Sequence, residues 1–269
     1  MTVRGVVVAL ALMLACAAPA AAQSPYISPG ISPPGANDWS CHPTAAHPSP
    51  VVLVHGTFGD MTISWNLISP ALKRDGYCVF ALDYGHRGTD PIEGSAAELR
   101  DFVDRVLAAT GARRVSLVGH SQGGMMPRYY IKFLGGAGKV DDLVGLAPSN
   151  HGTNNHGALV LDGATLCDSC GQQAAGSAFI TKLNAGDETP GDVSYTVVET
   201  RYDEVVTPYT SAFLSGANTT NVLLQTRCPL DASEHLSIIY DAIALRWVRN
   251  ALGQPGPADP NFHPSCLPV

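Results

Sequence analysis

Short, uninterrupted apolar runs recur along the chain, and each predicts a strand buried on both faces of a parallel sheet. The predicted strands cover residues 51–54, 77–82, 115–118, 143–146, 193–199 and 222–224. Segments with helical signals separate or follow them, and two of these cover residues 122–134 and 238–248. This alternation predicts an α/β fold, with a central, mostly parallel sheet and helices on both faces.

The clearest helix is predicted after residue 95, where Ser95 and Glu98 have the spacing of a capping box. Gly111 ends this helix, whose apolar positions recur at i, i+3, i+4, i+7 and i+8, at Leu99, Phe102, Val103, Val106 and Leu107. A shorter helix is predicted between the first two strands, with Ser69 as N-cap and Pro70 at its first position.

Two stretches lack a regular pattern. Residues 23–50 contain many prolines and serines, which predicts a surface arm leading into a domain over residues 51–269. Residues 147–173 are rich in Gly, Asn, Ser and Cys and are long for a simple connection. Since such loops often form lids or pocket walls, we expect a small cap or lid here.

The first 22 residues have the pattern of a secretory signal peptide. A basic segment with Arg4 precedes an apolar run over residues 6–15, and small residues end the segment at Ala22. A retained membrane anchor is the less favoured interpretation, because spanning a bilayer takes about twenty apolar residues. We therefore expect a secreted, extracellular protein.

Composition and charge narrow the class of protein. With 269 residues and 45% hydrophobic residues, the chain is long and apolar enough for a buried core. The formal net charge is −7, or −8 once Arg4 is removed with the signal peptide. An acidic chain without a basic cluster argues against nucleic acid as a partner.

Seven cysteines are present, and loss of Cys16 with the signal peptide leaves six. An even number in an oxidising compartment predicts three disulfides, although six cysteines permit fifteen pairings. Cys167 and Cys170 form a CxxC pair, which also suits redox chemistry or half a zinc site. Export favours a small structural loop instead.

The strongest chemical signal is a GxSxG motif formed by residues 119–123. The motif alone is weak, and Ser121 as a simple cap of the following helix is the alternative. Here, however, an apolar strand ends at Val118 and a helix is predicted directly after the serine, as a nucleophile elbow requires. Flanking glycines suit so sharp a turn. Ser121 is therefore the candidate nucleophile.

A serine nucleophile needs a histidine base and an acid that orients it, in the chain order serine, acid, histidine. Only His235 and His263 follow the last predicted strand, and His263 lies in a Pro-rich tail. We select His235 as base, its alternative role being an ordinary residue at a helix start. Asp203 follows a strand and is the candidate acid, with the adjacent Glu204 as its rival.

The loop after the first strand, VHGTFGD, is the candidate source of the oxyanion hole. The main-chain N–H of Gln122 supplies one donor, and Thr57 supplies a main-chain N–H and a hydroxyl. A tight glycine turn without catalytic use is the alternative. Asp83, His86 and His151 also fall near predicted strand ends and are candidates for the pocket lining.

From about Val51 onward the chain resembles the α/β-hydrolase lipases of the Candida antarctica lipase B type and the bacterial class 2 lipases. The motifs that carry the resemblance are SQGG at Ser121, KVDDLVGLAP at Lys139, GT at Gly152, YDEVVTPY at Tyr202, and NVLLQTRC followed by His235. The chain departs from the yeast enzyme at His55, at His120 and in the CxxC pair, which leaves acyl-chain preference and the lid open.

The resemblance implies an α/β-hydrolase fold, a triad of Ser121, Asp203 and His235, and an oxyanion hole formed by Thr57 and Gln122. It also implies disulfides between Cys228 and Cys266 and between Cys41 and Cys78. The expected activity is hydrolysis of acylglycerols through an acyl-enzyme, without cofactor or metal. The expected protein is a monomer that makes transient contact with a lipid interface.

Three alternatives to a lipase remain at this point. The closest is an esterase acting on short soluble esters or on polyesters. A serine peptidase on the same fold is another, although nothing in the sequence indicates a peptide-selecting pocket. An inactive hydrolase fold used for binding is the third, and the intact set of Ser121, Asp203 and His235 argues against it.

Overall fold

The computed structural model describes residues 30–155 and 167–267, so the predicted signal peptide and part of the predicted cap lie outside the described residues. Six parallel strands form one sheet in the order β2-β1-β3-β4-β5-β6. The strands are β1 Val51–Val54, β2 Val79–Leu82, β3 Val115–His120, β4 Val140–Leu146, β5 Ser194–Glu199 and β6 Thr219–Leu223. The predicted α/β-hydrolase sheet is thereby confirmed.

The described helices connect these strands and cover both faces of the sheet. They are α1 Met61–Ser64, α2 Ile68–Arg74, α3 Ile92–Thr110, α4 Gln122–Phe133, α5 Asp168–Gln172, α6 Ala178–Asn184, α7 Leu224–Arg227 and α8 Ala242–Leu252. Short 3₁₀ segments are Gly136–Gly138, Tyr209–Ala212 and Ser237–Tyr240. Gly85–Gly88 is a single turn in which His86 and Arg87 have positive φ.

The two faces of the sheet explain why β1 is apolar without interruption. Val52 and Val54 point into a core that includes residues of α3 and α4. Val51 and Leu53 point the other way, into a core that includes residues of α2 and α8. All four side chains have 0% relative exposure, and burial of such a side chain contributes about 1.5–3 kcal/mol.

Two predicted helix starts are wrong. Helix α3 begins at Ile92 after Pro91, so Ser95 and Glu98 lie inside it and form no capping box. Glu98 instead accepts a hydrogen bond from the main-chain N–H of Gly85 over 3.2 Å, and burial raises the pKa of this carboxyl group. Helix α2 begins before Ser69, whose hydroxyl donates to Pro34 O over 2.9 Å.

The C-terminal elements also differ from the prediction. The last strand ends at Leu223, because Leu224 already starts α7. The predicted helix over residues 238–248 is divided into the 3₁₀ segment Ser237–Tyr240 and helix α8. Asp241 causes the division, since its backbone is extended and its side chain caps the N–H of Ala244 over 2.6 Å.

The described part of the N-terminal arm lies along the edge of the sheet. Ala36 forms a parallel bridge to Val79 in β2, and Asn37 exchanges hydrogen bonds of 2.9 Å with the main chain of Ala81. The ring of Trp39 packs 5.0 Å from that of Phe80. The arm therefore covers the outer edge of β2, which would otherwise offer unpaired main-chain groups.

Three disulfides join the six cysteines of the described residues, which confirms the predicted number. They pair Cys41 with Cys78, Cys167 with Cys170, and Cys228 with Cys266, with Cα–Cα distances of 5.7, 5.3 and 5.4 Å. The first ties the arm to the residue before β2. The third ties the loop that precedes His235 to the C-terminal tail.

Candidate active site

Ser121 lies at the turn between β3 and α4, in a strained main-chain conformation. Its φ of 54° and ψ of −123° are rarely adopted by a residue with a side chain. The N–H of Ser121 donates to Leu146 O in β4 over 2.9 Å, which holds the turn against the neighbouring strand. Ser121 is 7% exposed, so its hydroxyl lies at the base of a depression in the surface.

The glycines of the motif are required by close main-chain contacts. A Cβ on Gly119 would lie 1.8 Å from Gly123 O, and a Cβ on Gly123 would lie 2.1 Å from Val54 O. Both contacts are far shorter than van der Waals distance and involve main chain that cannot move aside. Helix α4 therefore packs directly against the ends of β1 and β3, which positions Ser121 above the sheet.

The predicted acid and base are in direct contact. His235 Nδ1 lies 2.7 Å from Asp203 Oδ2, with both residues buried. Because an ionised carboxylate only accepts, Nδ1 carries the hydrogen and Nε2 is left as the basic nitrogen. Asp203 Oδ1 accepts from the N–H groups of Val205 and Val206 over 2.8 and 2.7 Å, which fixes the carboxylate.

The alternative acid and the other histidine after the last strand both lie at the surface. Glu204 is exposed, whereas its neighbour Asp203 points inward to His235. His263 is exposed in the C-terminal tail.

His120, directly before Ser121, holds the segment that carries the base. Its Nε2 lies 2.8 Å from His235 O, and the two rings are 4.9 Å apart. Since a carbonyl oxygen accepts, Nε2 of His120 is the donor. Burial is the main reason that the pKa of His120 falls to about 3, with the neighbouring His235 contributing. His120 is therefore neutral and does not compete for a proton.

Thr57 and Gln122, the predicted oxyanion donors, are connected to each other. Gln122 Nε2 donates to Thr57 Oγ1 over 2.8 Å and to Gly88 O over 2.7 Å. Gln173 Nε2 donates to the same Thr57 oxygen over 3.0 Å. Both acceptor positions of the hydroxyl are thus occupied, so its remaining capacity is to donate its own hydrogen. Gln122 is the first residue of α4, where main-chain N–H groups have no partner within the helix.

Ser121 and His235 line one small cavity with a volume of about 130 Å³. Its wall combines polar and apolar side chains: Thr57, Phe58, His120, Ser149, Thr153, Gln173, Val205, Val206 and Leu236. Gln173 is held in place by the hydroxyl of Ser149, which donates to its Oε1 over 2.8 Å. The cavity brings the serine, the basic histidine and Thr57 to the same space.

Three predicted lining residues lie elsewhere. Asp83 accepts from the N–H of Met61 over 2.7 Å, and His86 pairs with Asp90 at the surface. His151 pairs with Glu188 over 2.9 Å. None of the three is among the described residues that line this cavity.

Gln173 and Ser149 were not identified from the sequence. Both lie in the stretch of residues 147–173, which was predicted only as a wall or lid. Gln173 contacts Thr57 across 116 positions of sequence, so no local spacing indicates the pair.

Residues 30–155 and 167–267 contain no group of three or more His, Cys, Asp or Glu side chains arranged to hold a metal ion. Across the same residues, every helix is too short or too polar to cross a bilayer.

Triacylglycerol lipases are among the known proteins with similar sequences. A triacylglycerol lipase of Vibrio cholerae is 32% identical over 155 residues, which cover 53% of this chain and 47% of the relative. A triacylglycerol lipase of Pseudarthrobacter phenanthrenivorans is 40% identical over 91 residues, or 32% of this chain and 28% of the relative. The matches thus span less than half the length of either relative.

The fold is shared with solved lipase structures. Aspergillus fumigatus lipase B superposes with a TM-score of 0.71 at 23% identity, over 89% of this chain and 63% of that one. Mature Bacillus licheniformis lipase BlEst2 superposes with a TM-score of 0.59 at 19% identity, over 74% and 89%. A family model described as lipase (class 2) matches residues 48–248, well over half of the sequence. The chain belongs to the class 2 lipase family.

Proposed function

We propose that this chain is a secreted carboxylic ester hydrolase in which Ser121 is the nucleophile, His235 the base and Asp203 the orienting acid. The observation that carries the proposal is the 2.7 Å contact of His235 with Asp203 beside a cavity that Ser121 also lines. This contact fixes the tautomer of His235, leaving Nε2 free to accept the hydroxyl proton of Ser121.

The reaction proceeds by acyl transfer in two steps. Ser121 Oγ attacks the ester carbonyl carbon while His235 Nε2 takes its proton, and the proton then passes to the leaving alkoxide. Water, deprotonated by the same nitrogen, attacks the acyl-enzyme and releases the acid. The hydroxyl and N–H of Thr57 and the N–H of Gln122 donate to the oxyanion in both tetrahedral intermediates.

Acylglycerols are the proposed substrates, and apolar side chains around the cavity support this. Phe58 and Leu236 line the cavity yet are 48% and 62% exposed. Ile63 is 57% exposed, and its main-chain oxygen accepts from the hydroxyl of Tyr240, itself 47% exposed. Exposed apolar side chains at the wall of a site, such as Phe58 and Leu236, indicate contact with an apolar surface, so transient binding at a lipid interface belongs to the proposal.

An esterase of short soluble esters, or of polyesters, is the second candidate. A cavity of about 130 Å³ accommodates only a short acyl group without a change in its walls. This observation favours esters of short-chain acids over esters of long-chain fatty acids as substrates.

Secretion, a single catalytic domain over residues 51–269 and a monomeric state complete the proposal. The signal-like pattern of residues 1–22 and the three disulfides support export.

The decisive experiment measures initial rates on p-nitrophenyl esters from acetate to palmitate and on emulsified triacylglycerol. Ser121→Ala is the test variant, and Ser40→Ala, at an exposed serine, is the matched control. A p-nitrophenyl phosphonate, followed by peptide mass spectrometry, identifies the labelled residue. We expect Ser121→Ala to abolish turnover and labelling. Turnover retained in Ser121→Ala would refute the mechanism. Activity confined to short soluble esters would refute the proposal that the substrates are acylglycerols.

A further inference from the structure

A second carboxyl group is buried beside Asp203. Glu199 is the last residue of β5 and has 0% relative exposure. The N–H of Thr200 donates to its Oε1 over 2.7 Å, and the carboxyl group of Asp203 lies within reach of its side chain. Among the ion pairs of residues 30–155 and 167–267, none includes Glu199.

The available donors decide which carboxyl group carries a proton. Asp203 already accepts from the N–H groups of Val205 and Val206 and from His235. Glu199 Oε2 is buried, and no N–H or hydroxyl of the described residues donates to it. Two ionised carboxylates have no hydrogen to share, so a hydrogen bond between Glu199 and Asp203 requires a proton. Glu199 accepts from one donor and Asp203 from three, so the proton belongs on Glu199.

Electrostatics support the same assignment. Burial raises the pKa of Glu199 well above its usual range, and the charge of Asp203 raises it further. Asp203, on the segment after the same strand, is the charged group that acts on Glu199, and the titratable ring of His235, on the loop after β6, lies beyond Asp203.

We propose that Glu199 is a positioning residue that, in its protonated form, donates a hydrogen bond to Asp203 and fixes this carboxylate against His235. The inference rests on the proposed triad. The donated hydrogen gives Asp203 a fourth hydrogen bond without cancelling its charge, so the carboxylate still orients His235. Loss of the proton at alkaline pH replaces this bond by repulsion between two buried carboxylates.

The kinetic test compares a variant that keeps the donor with one that removes it. Glu199→Gln places an amide N–H where the acid hydrogen lies, and Glu199→Leu leaves no donor. On a soluble p-nitrophenyl ester at pH 7.5 we expect Glu199→Gln to retain kcat within about threefold. We expect Glu199→Leu to lose about tenfold or more in kcat, with KM little changed.

The pH profile separates positioning from simple packing. We expect the kcat of wild type to fall at alkaline pH as Glu199 loses its proton, and that of Glu199→Gln to persist there. Asp142→Asn, which alters another buried acid near the amino end of β4, is the control and should keep the wild-type profile.

A stability measurement tests whether Glu199 is protonated in the native state, without relying on turnover. Native Glu199 keeps its proton at pH values where the unfolded chain has lost it, so the free energy of unfolding of wild type falls as pH rises above about 4.5. The ratio of the wild-type unfolding constant to that of Glu199→Gln should therefore rise by up to about tenfold per pH unit in this window.

The outcomes are distinguishable. The inference is overturned if Glu199→Gln loses its activity as Glu199→Leu does, if Glu199→Gln keeps the wild-type alkaline decline, or if the stability ratio is independent of pH. If Glu199→Leu does not fold, the pH profile of kcat and the pH dependence of stability of Glu199→Gln still test the inference. Absence of any turnover by wild type would refute the proposed function alone, because the stability measurement would still report on the proton.

Discussion

His120 donates its Nε2 hydrogen to the main-chain oxygen of His235 over 2.8 Å. The residue before the proposed nucleophile thus holds the proposed base by its main chain, 115 positions away. Asp203 contacts Nδ1 of the His235 ring, and His120 binds the main chain of His235. Together these two contacts fix the direction in which Nε2 of His235 points.

Replacing His120 by phenylalanine should therefore lower both stability and activity. The variant keeps an aromatic ring but leaves the oxygen of His235 buried without a donor, which costs about 1–3 kcal/mol in unfolding free energy. We expect kcat to fall by about tenfold or more, because a small displacement of the base disturbs the reacting geometry. Denaturant unfolding and initial rates measure the two effects.

Glutamine at position 120 is the matched variant, because its amide nitrogen can occupy the place of Nε2. His263→Gln, at an exposed position, controls for the loss of a histidine. If the phenylalanine variant matched wild type in both assays, the hydrogen bond would have no role.

The hydroxyl of Thr57 gives a second prediction. Both of its acceptor positions are occupied by Gln122 and Gln173, which leaves its hydrogen for the oxyanion. Thr57→Val keeps the shape but removes this donor, and we expect kcat to fall by about 10² to 10³. Thr57→Ser keeps the hydroxyl and should stay within about tenfold of wild type. Equal losses in the two variants would contradict a donor role.

The proposed nucleophile and base can be selected from the sequence because their signals are local or follow chain order. Ser121 lies in a five-residue motif between a strand and a helix, and His235 is the histidine between the last strand and the last helix. Asp203 and Glu204 are adjacent, so only the fold distinguishes them. Asp203 is buried against His235, whereas Glu204 is exposed.

The supporting residues were missed because their partners are remote in sequence or their pattern is ambiguous. Gln173 contacts Thr57 from a loop without periodicity, and Glu199 ends an apolar strand where a single acid resembles a boundary residue. The predicted start of α3 is wrong because Ser95 and Glu98 have the spacing of a capping box. In the structure, Glu98 instead accepts a hydrogen bond from the N–H of Gly85 on another segment.

The glycine of the elbow that faces β1 should tolerate no side chain. Gly123→Ala places a Cβ 2.1 Å from Val54 O, and displacement of α4 from the sheet should cost about 4 kcal/mol or more. Gly94→Ala is the control, since no atom lies within 4 Å of the added carbon and Gly94 is inside α3. This control should gain about 0.5–1 kcal/mol. Thermal unfolding compares them, and a stable, active Gly123→Ala would contradict the geometry.

Removal of two disulfides should separate stability from activity. Cys228 and Cys266 are 38 positions apart, and chain entropy predicts a loss of about 4 kcal/mol in the double serine variant. Cys167 and Cys170 are 3 apart, and the corresponding loss is about 2 kcal/mol.

The shorter disulfide should matter more for turnover than its stability effect suggests. It closes the start of α5, where the hydroxyl of Ser169 donates to Gly88 O over 2.6 Å. Gln122 donates to the same oxygen, and Gln173 follows the helix. We expect a several-fold lower kcat in the double serine variant at Cys167 and Cys170, measured at a temperature where it is fully folded. An unchanged kcat would show that α5 holds its place without the bond.

Asp142 predicts how stability depends on pH. Burial is the main reason that the pKa of Asp142 rises to about 7, with the charge of Asp141 adding and a hydrogen bond from Ser116 opposing. The native state therefore holds this proton from about pH 4 to pH 7, where the unfolded chain releases it, and the free energy of unfolding falls through that window. Asp142→Asn removes this pH-dependent fall in the free energy of unfolding. The variant should equal wild type near pH 4 and exceed it by up to about 4 kcal/mol above pH 7. Urea unfolding at pH 4, 5.5, 7 and 8.5 tests this, and a constant difference between the two proteins would contradict it.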